Sequence, residues 1–188
     1  MKNILFLIFF IVGFSVFAQE NKADIERQFQ EYSDFLKNKK FERAIDQYAN
    51  EDMLKIVPKA QLLQSMDQIF NSKEIEFKIY NPENINIDSQ VYKKNNKEYY
   101  KLNYNQRIDL KFNSNAVSND QLMTALQKEF GENNVLFNSQ TGYFEIKTNK
   151  DAAASTSNHK EWKFTVLEKN QIPILRSFLP EELLKSMN

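Results

Sequence analysis

The sequence contains no cysteine. That excludes a disulfide framework, a thiolate nucleophile, a cysteine metal site and lipid attachment at an export-site cysteine. Histidine occurs once, as His159, so a zinc site built on two or three imidazoles is not expected either. Glycine is scarce, at 3, and proline numbers 4. Neither the phosphate-cradling P-loop nor the G-x-S-x-G nucleophile pattern occurs. No run of oxygen donors closes around a glycine to make a calcium loop. An excess of one charge is also lacking, since 25 basic and 25 acidic residues give a formal net charge of +0. A basic face for nucleic acid or anionic lipid is therefore not expected.

What is present begins at the first residue. Met1-Lys2-Asn3 is short and positively charged, Ile4 to Phe14 is almost wholly apolar, and Ser15-Val16-Phe17-Ala18 places small residues at −3 and −1 of a cut after Ala18. This is the layout of a secretory signal peptide over residues 1–18, with an apolar core well short of the about twenty residues a spanning helix needs. The expectation is an exported protein, periplasmic or secreted, with no membrane segment after cleavage. Residues 19–188 are long enough for one core and short for two.

The mature chain opens with helical spacing. Ile25, Phe29, Tyr32 and Leu36 lie on one face, widened by Phe35, and Phe41, Ala44, Ile45 and Tyr48 make a second stripe. Pro58 suits the first turn of a third helix carrying Leu62, Leu63, Met66, Ile69 and Phe70. From Lys73 the period becomes two. Ile75, Phe77 and Ile79 predict one strand, and Ile85, Ile87 and Val91 predict a second. Tyr100, Leu102, Tyr104, Ile108, Leu110 and Phe112 predict a long third strand, with a bulge or curl near Gln106 to bend it. Ser118 and Gln121 have capping-box spacing before Leu122, Ala125, Leu126 and Phe130, and Gly131 is placed for a left-handed helix end. Val135–Phe137 and Tyr143–Ile146 predict a hairpin, and residues 149–158, small and polar, predict a loop. Trp162, Phe164 and Val166 give another strand, Ile172 and Ile174 an edge strand around Pro173, and Pro180 a short final helix.

Helices first and strands after is an α+β plan, with N-terminal helices packed on a strongly curved antiparallel sheet that buries its even-numbered face and leaves the other to solvent. An inserted helix-hairpin unit, within an insertion over about 115–158, and a short C-terminal helix complete the single domain. The order of Ile25–Leu36, Phe41–Tyr48 and Pro58–Phe70 before the strands resembles the nuclear transport factor 2-like, or cystatin-like cone, fold. The resemblance implies helices seated in a bent sheet with a cleft between them. It does not choose among enzymes, small-ligand binders and dimerisation modules.

Few residues offer chemistry. His159 is the candidate general base, by its ordinary pKa of about 6.5, although its neighbours Asn158, Lys160 and Glu161 also fit a solvated loop. Tyr100, Tyr104 and Trp162 are candidate ligand-binding residues if the cleft is open, and plain core if it is not. Tyr99 faces away from Tyr100, and an exposed Tyr99 would mark an interface. Asp109, on the polar face, is expected to pair across strands. No metal site and no cofactor are indicated. Two functions stand: a non-catalytic binding or interaction module with a small ligand, a protein partner or a second copy in a homodimer, or a small enzyme with its site in the helix-sheet cleft.

Overall fold

The computed structural model describes residues 2–114 and 117–187, with side chains from residue 20 onward. The expected signal peptide, residues 1–18, and the start of the expected insertion at 115 and 116 lie outside the fully described residues. Among those described, no helix is long and apolar enough to cross a membrane.

Four helices come first: α1 (Lys2–Lys37), α2 (Phe41–Tyr48), α3 (Glu51–Leu54) and α4 (Lys59–Phe70). The strands β1 (Ile75–Ile79), β2 (Glu83–Lys94) and β3 (Lys97–Phe112) follow, then α5 (Asn119–Phe130), then β4 (Val135–Asn138), β5 (Tyr143–Thr156) and β6 (Lys163–Leu167), and last α6 (Ile172–Leu175) and α7 (Glu181–Lys185). The fold is α+β, with one six-stranded sheet whose strand pairings are all antiparallel.

Two long strands form the spine. β3 and β5 pair in unbroken register from Glu98↔Thr156 to Leu110↔Phe144. The outer neighbours are each split. β1 covers the Ile108–Phe112 end of β3 and β2 the other end, with the break at Asn81-Pro82, where proline cannot donate to a ladder. β4 pairs with β5 at 143–146 and β6 at 151–155. Both splits fall at the same level, so the sheet has a waist near Gln106 and Thr148. The expected bulge at Gln106 is absent from the β3–β5 ladder. The irregularities sit in β2, between Glu83 and Asn86 and between Ile87 and Val91, and Gln106 instead donates its side-chain amide to the Tyr80 carbonyl at 2.7 Å.

In the β2/β6 half the even face is a closed core. Ile25 and Phe29 of α1 and Tyr48 of α2 pack on Tyr100, Leu102, Tyr104, Ala152, Ala154, Trp162 and Phe164. Phe29 meets Tyr104 and Phe164 edge-on at 4.9 and 5.1 Å between ring centroids. Each large side chain so buried contributes about 1.5–3 kcal/mol.

The expectation of one covered face is corrected here. The odd face of this half is also a core, in which Tyr92, Tyr99, Ala153 and Leu167 lie under Leu175, Phe178, Leu179, Leu183 and Leu184. Tyr99 is 0% exposed, not an exposed interface residue. The expected edge strand at Ile172 and Ile174 is the short helix α6, because Pro173 fits a first helical turn and a paired strand does not accommodate it. Asn50, itself 1% exposed, caps α3 through its side-chain oxygen.

Within the expected loop 149–158, only residues 157 and 158 lie outside a strand. Lys150 to Thr156 belong to β5, the second central strand, and all of 151–156 is buried. Small side chains are required there because helices press on both faces. The span read as an insertion therefore supplies half the spine of the sheet, and only α5 and β4 extend beyond it. The capping box of Ser118 and Gln121 forms as expected, and Gly131 turns the chain at φ +96° and ψ 141°, an extended conformation of positive φ rather than the left-handed one.

Candidate functional site

The structure buries the three ligand-binding candidates of the sequence. Tyr100, Tyr104 and Trp162 are 4%, 4% and 0% exposed. Tyr100 and Trp162 meet edge-on at 5.5 Å, and the Trp162 backbone N–H donates to Gln28 Oε1 at 3.0 Å. Burial pushes the Tyr104 phenol well above its ordinary range and the neighbouring Tyr32 phenol up to about 12. Side chains of α1 fill the cleft here.

His159 lies at the β5–β6 turn, with its side chain 52% exposed and Nδ1 3.8 Å from Glu98 Oε2. Its backbone N–H donates to Thr156 Oγ1 at 3.0 Å, and Asn158 Oδ1 accepts from the N–H groups of Lys160 and Glu161. The turn holds itself together, and His159 sits at its tip with φ +57°. Among the described residues, no group of three or more His, Cys, Asp or Glu is placed to hold a metal ion.

The β1/β4 half is built differently. Its even face pairs Ile108, Leu110 and Phe112 of β3 with Ile79, Phe77 and Ile75 of β1 on one side, and Ile108 and Leu110 with Ile146 and Phe144 of β5 on the other. Two helices lie over this face. α4 rests on β1, where Phe70 meets Phe77 at 4.7 Å, and is held from behind by Phe41 at 4.8 Å. α5 rests on β4 and β5, over Val135, Phe144 and Ile146 at 2%, 1% and 0% exposed.

Neither helix carries a single fully buried residue. Leu62, Leu63, Met66 and Phe70 of α4, and Leu122, Met123, Leu126 and Phe130 of α5, are only partly buried, and Ile69 is 51% exposed. The strip Ile108, Leu110 and Phe112 between them is partly exposed too, although it lies on a central strand. The spacing of strands explains this. Adjacent strands lie about 4.8 Å apart, so β1 and the line between β5 and β4 are separated by roughly 12 Å. Helices in direct contact lie about 8–10 Å apart. Helices seated on those strands are too widely spaced to pack closely on each other above β3. The result is a narrow apolar trough with β3 as floor and α4 and α5 as walls.

The odd face of the same half is polar and self-satisfied. Tyr80 donates its hydroxyl to Asp109 Oδ2 at 2.7 Å, and Arg107 grips the same carboxylate at 2.9 and 3.0 Å and Glu145 at 3.1 Å. Asp109, 4% exposed, thus takes its cation from Arg107, two residues back on its own strand, and a hydroxyl from Tyr80 just past the neighbouring strand β1. Tyr143 donates to Glu76 at 2.6 Å, and Lys78 Nζ lies 3.9 Å from its ring centre. A buried ion pair, Lys101–Asp151 at 3.1 Å with side chains each 7% exposed, marks where the C-terminal cover begins, and Lys101 also donates to the Ser186 carbonyl.

Sequence periodicity did identify the trough residues as apolar, but as ordinary core. The distinguishing signal is two amphipathic helices that must share one sheet face on either side of a central strand, and it depends on the strand order. No protein-family model, no curated protein and no solved structure matches this chain.

Proposed function

We propose that the chain is an exported, non-catalytic binding module that holds a slender apolar ligand, such as an acyl chain, along Ile108, Leu110 and Phe112. The observation that carries this reading is the partial burial of a central-strand apolar strip beneath two helices that bury nothing fully. A flat protein interface needs about 800 Å² of accessible surface from each partner. A floor already half hidden between two helices suits a narrow occupant better. Met66 and Met123 on the walls are flexible and polarizable, and adapt to an occupant of varied shape.

Export rests on the residues 1–18 pattern alone, and kinship with the nuclear transport factor 2-like architecture is part of the same proposal. No observation favours His159 as a catalytic base over a turn residue.

The test is a fluorescence titration of the purified protein with cis-parinaric acid. Saturable binding that weakens in Leu63→Glu and Met123→Glu, both checked for native circular dichroism, supports the reading. Absence of saturable binding, or binding unchanged in both variants, overturns it. Concentration-dependent dimerisation abolished by the same variants would replace it with a homodimer interface.

A further inference from the structure

We propose that a second site, at the waist of the sheet, binds a neutral oligosaccharide. At the waist, an open groove of about 420 Å³ is lined by Glu83, Asn105, Arg107, Asn134, Lys147 and Asn149 among others. Asn149 also lines a cleft of about 360 Å³ whose walls include Glu129, Asp151, Leu167 and Met187. Strand alternation and the register Asn105↔Asn149 and Arg107↔Lys147 put these β3 and β5 side chains on the odd face, away from Ile108 and Leu110, while Gln106↔Thr148 between them, also lining the groove, alternate to the even face.

Three observations define the ligand. The first is the hydrogen-bonding array. Asn149 donates to Asn103 Oδ1 at 2.8 Å and to Asn105 Oδ1 at 3.2 Å, and Asn103 donates to Asp151 Oδ1 at 2.9 Å. This row of amides is held in fixed orientation, yet Asn105, exposed on the groove wall, uses only its carbonyl in the hydrogen bonds described. Amides offer a donor and an acceptor side by side, which matches the paired hydroxyls of a sugar. Orientation fixed before binding lowers the cost of association.

The second is charge. Acidic and basic side chains lining the two openings balance, four of each. Half are already engaged: Arg107 with Asp109 and Glu145, Lys150 with Glu168 at 2.8 Å, and Asp151 with Lys101. A site with no net field does not select a polyanion.

The third is the shortage of apolar lining. Leu167 and Met187 are the apolar residues of the two openings, both at one end. An extended peptide carrying apolar side chains at alternate positions would find no receptacle over the amides. A neutral, polyhydroxylated chain needs none.

The experiment is isothermal titration of the full protein with maltohexaose, cellohexaose, chitohexaose and mannohexaose, with dextran sulfate and an unrelated decapeptide as comparisons. Binding of at least one neutral hexasaccharide is expected. Asn105→Ala and Asn149→Ala, at exposed positions that leave the fold intact, are expected to weaken it about tenfold each through the lost hydrogen bonds. Leu63→Glu in the trough is expected to leave it unchanged, so this site and the apolar one fail or succeed separately. No binding of any neutral hexasaccharide at millimolar concentration, binding of dextran sulfate or the peptide alone, or binding indifferent to both asparagine substitutions would overturn the proposal.

Discussion

Replacing Ala153 or Ala154 by leucine tests the assignment of residues 150–156 to a central strand, one face at a time. Ala154 points to the even face between its ladder partners Tyr100 and Phe164 and is 0% exposed. Ala153 points to the odd face, 1% exposed, in the core formed with Tyr99, Leu179 and Leu183. Neither position has room for added methylenes. Overpacking a closed site costs about 1–3 kcal/mol, which for a domain of this size lowers Tm by about 2–12 °C. Thermal and urea unfolding followed by circular dichroism measure both quantities. Ala125→Leu, on an exposed position of α5, serves as the control and is expected within about 0.5 kcal/mol of the parent. In an exposed loop, leucine at 153 or 154 would be equally harmless. Two alanine variants indistinguishable from the control would therefore refute the central-strand assignment.

Further outcomes follow from the polar contacts. Lys101→Met removes the buried cation 3.1 Å from Asp151 and is expected to destabilise the fold by about 3–5 kcal/mol, whereas the double variant Lys101→Met, Asp151→Leu is expected to recover most of that loss in urea melts. The side-chain hydrogen bonds of Lys55 and then Lys97 hold the Asp52 carboxyl below its ordinary pKa of 3.8. A depressed folded-state pKa gives stability that is present above the unfolded value and lost as pH falls through the folded one. Wild type is accordingly expected to exceed Asp52→Asn in stability at pH 7, with the difference closing only below pH 3.8; a gap that persists unchanged at lower pH would contradict this linkage.

Much of the architecture could be read from spacing alone. The stripes at Ile25–Leu36 and Phe41–Tyr48, the alternation through Tyr100–Phe112 and the capping box at Ser118 are local signals, and they fold as local physics dictates. The failures share one cause. Ala152-Ala153-Ala154-Ser155-Thr156 reads as a loop because small residues carry no periodicity, and their smallness has meaning only once helices lie on both faces. Tyr99 looked exposed because the covering residues Phe178, Leu179 and Leu183 lie far along the chain. The same limit hid the trough. Ile108, Leu110 and Phe112 are apolar in any reading, and their incomplete burial arises from where α4 and α5 land on the strand order β1-β3-β5-β4. The candidates Tyr100, Tyr104 and Trp162 were correctly placed on the helix-facing side of the sheet, at the end that α1 fills.

The chain has one tryptophan, so its fluorescence reports on a single place. Iodide quenching of the native protein asks directly whether the β2/β6 half is closed and the opening lies elsewhere. With Trp162 fully buried, quenching is expected to be a small fraction of that in the urea-unfolded chain. Native and unfolded protein quenched alike would mean that solvent reaches the space between α1 and the sheet, and the division into a closed half and an open half would fail.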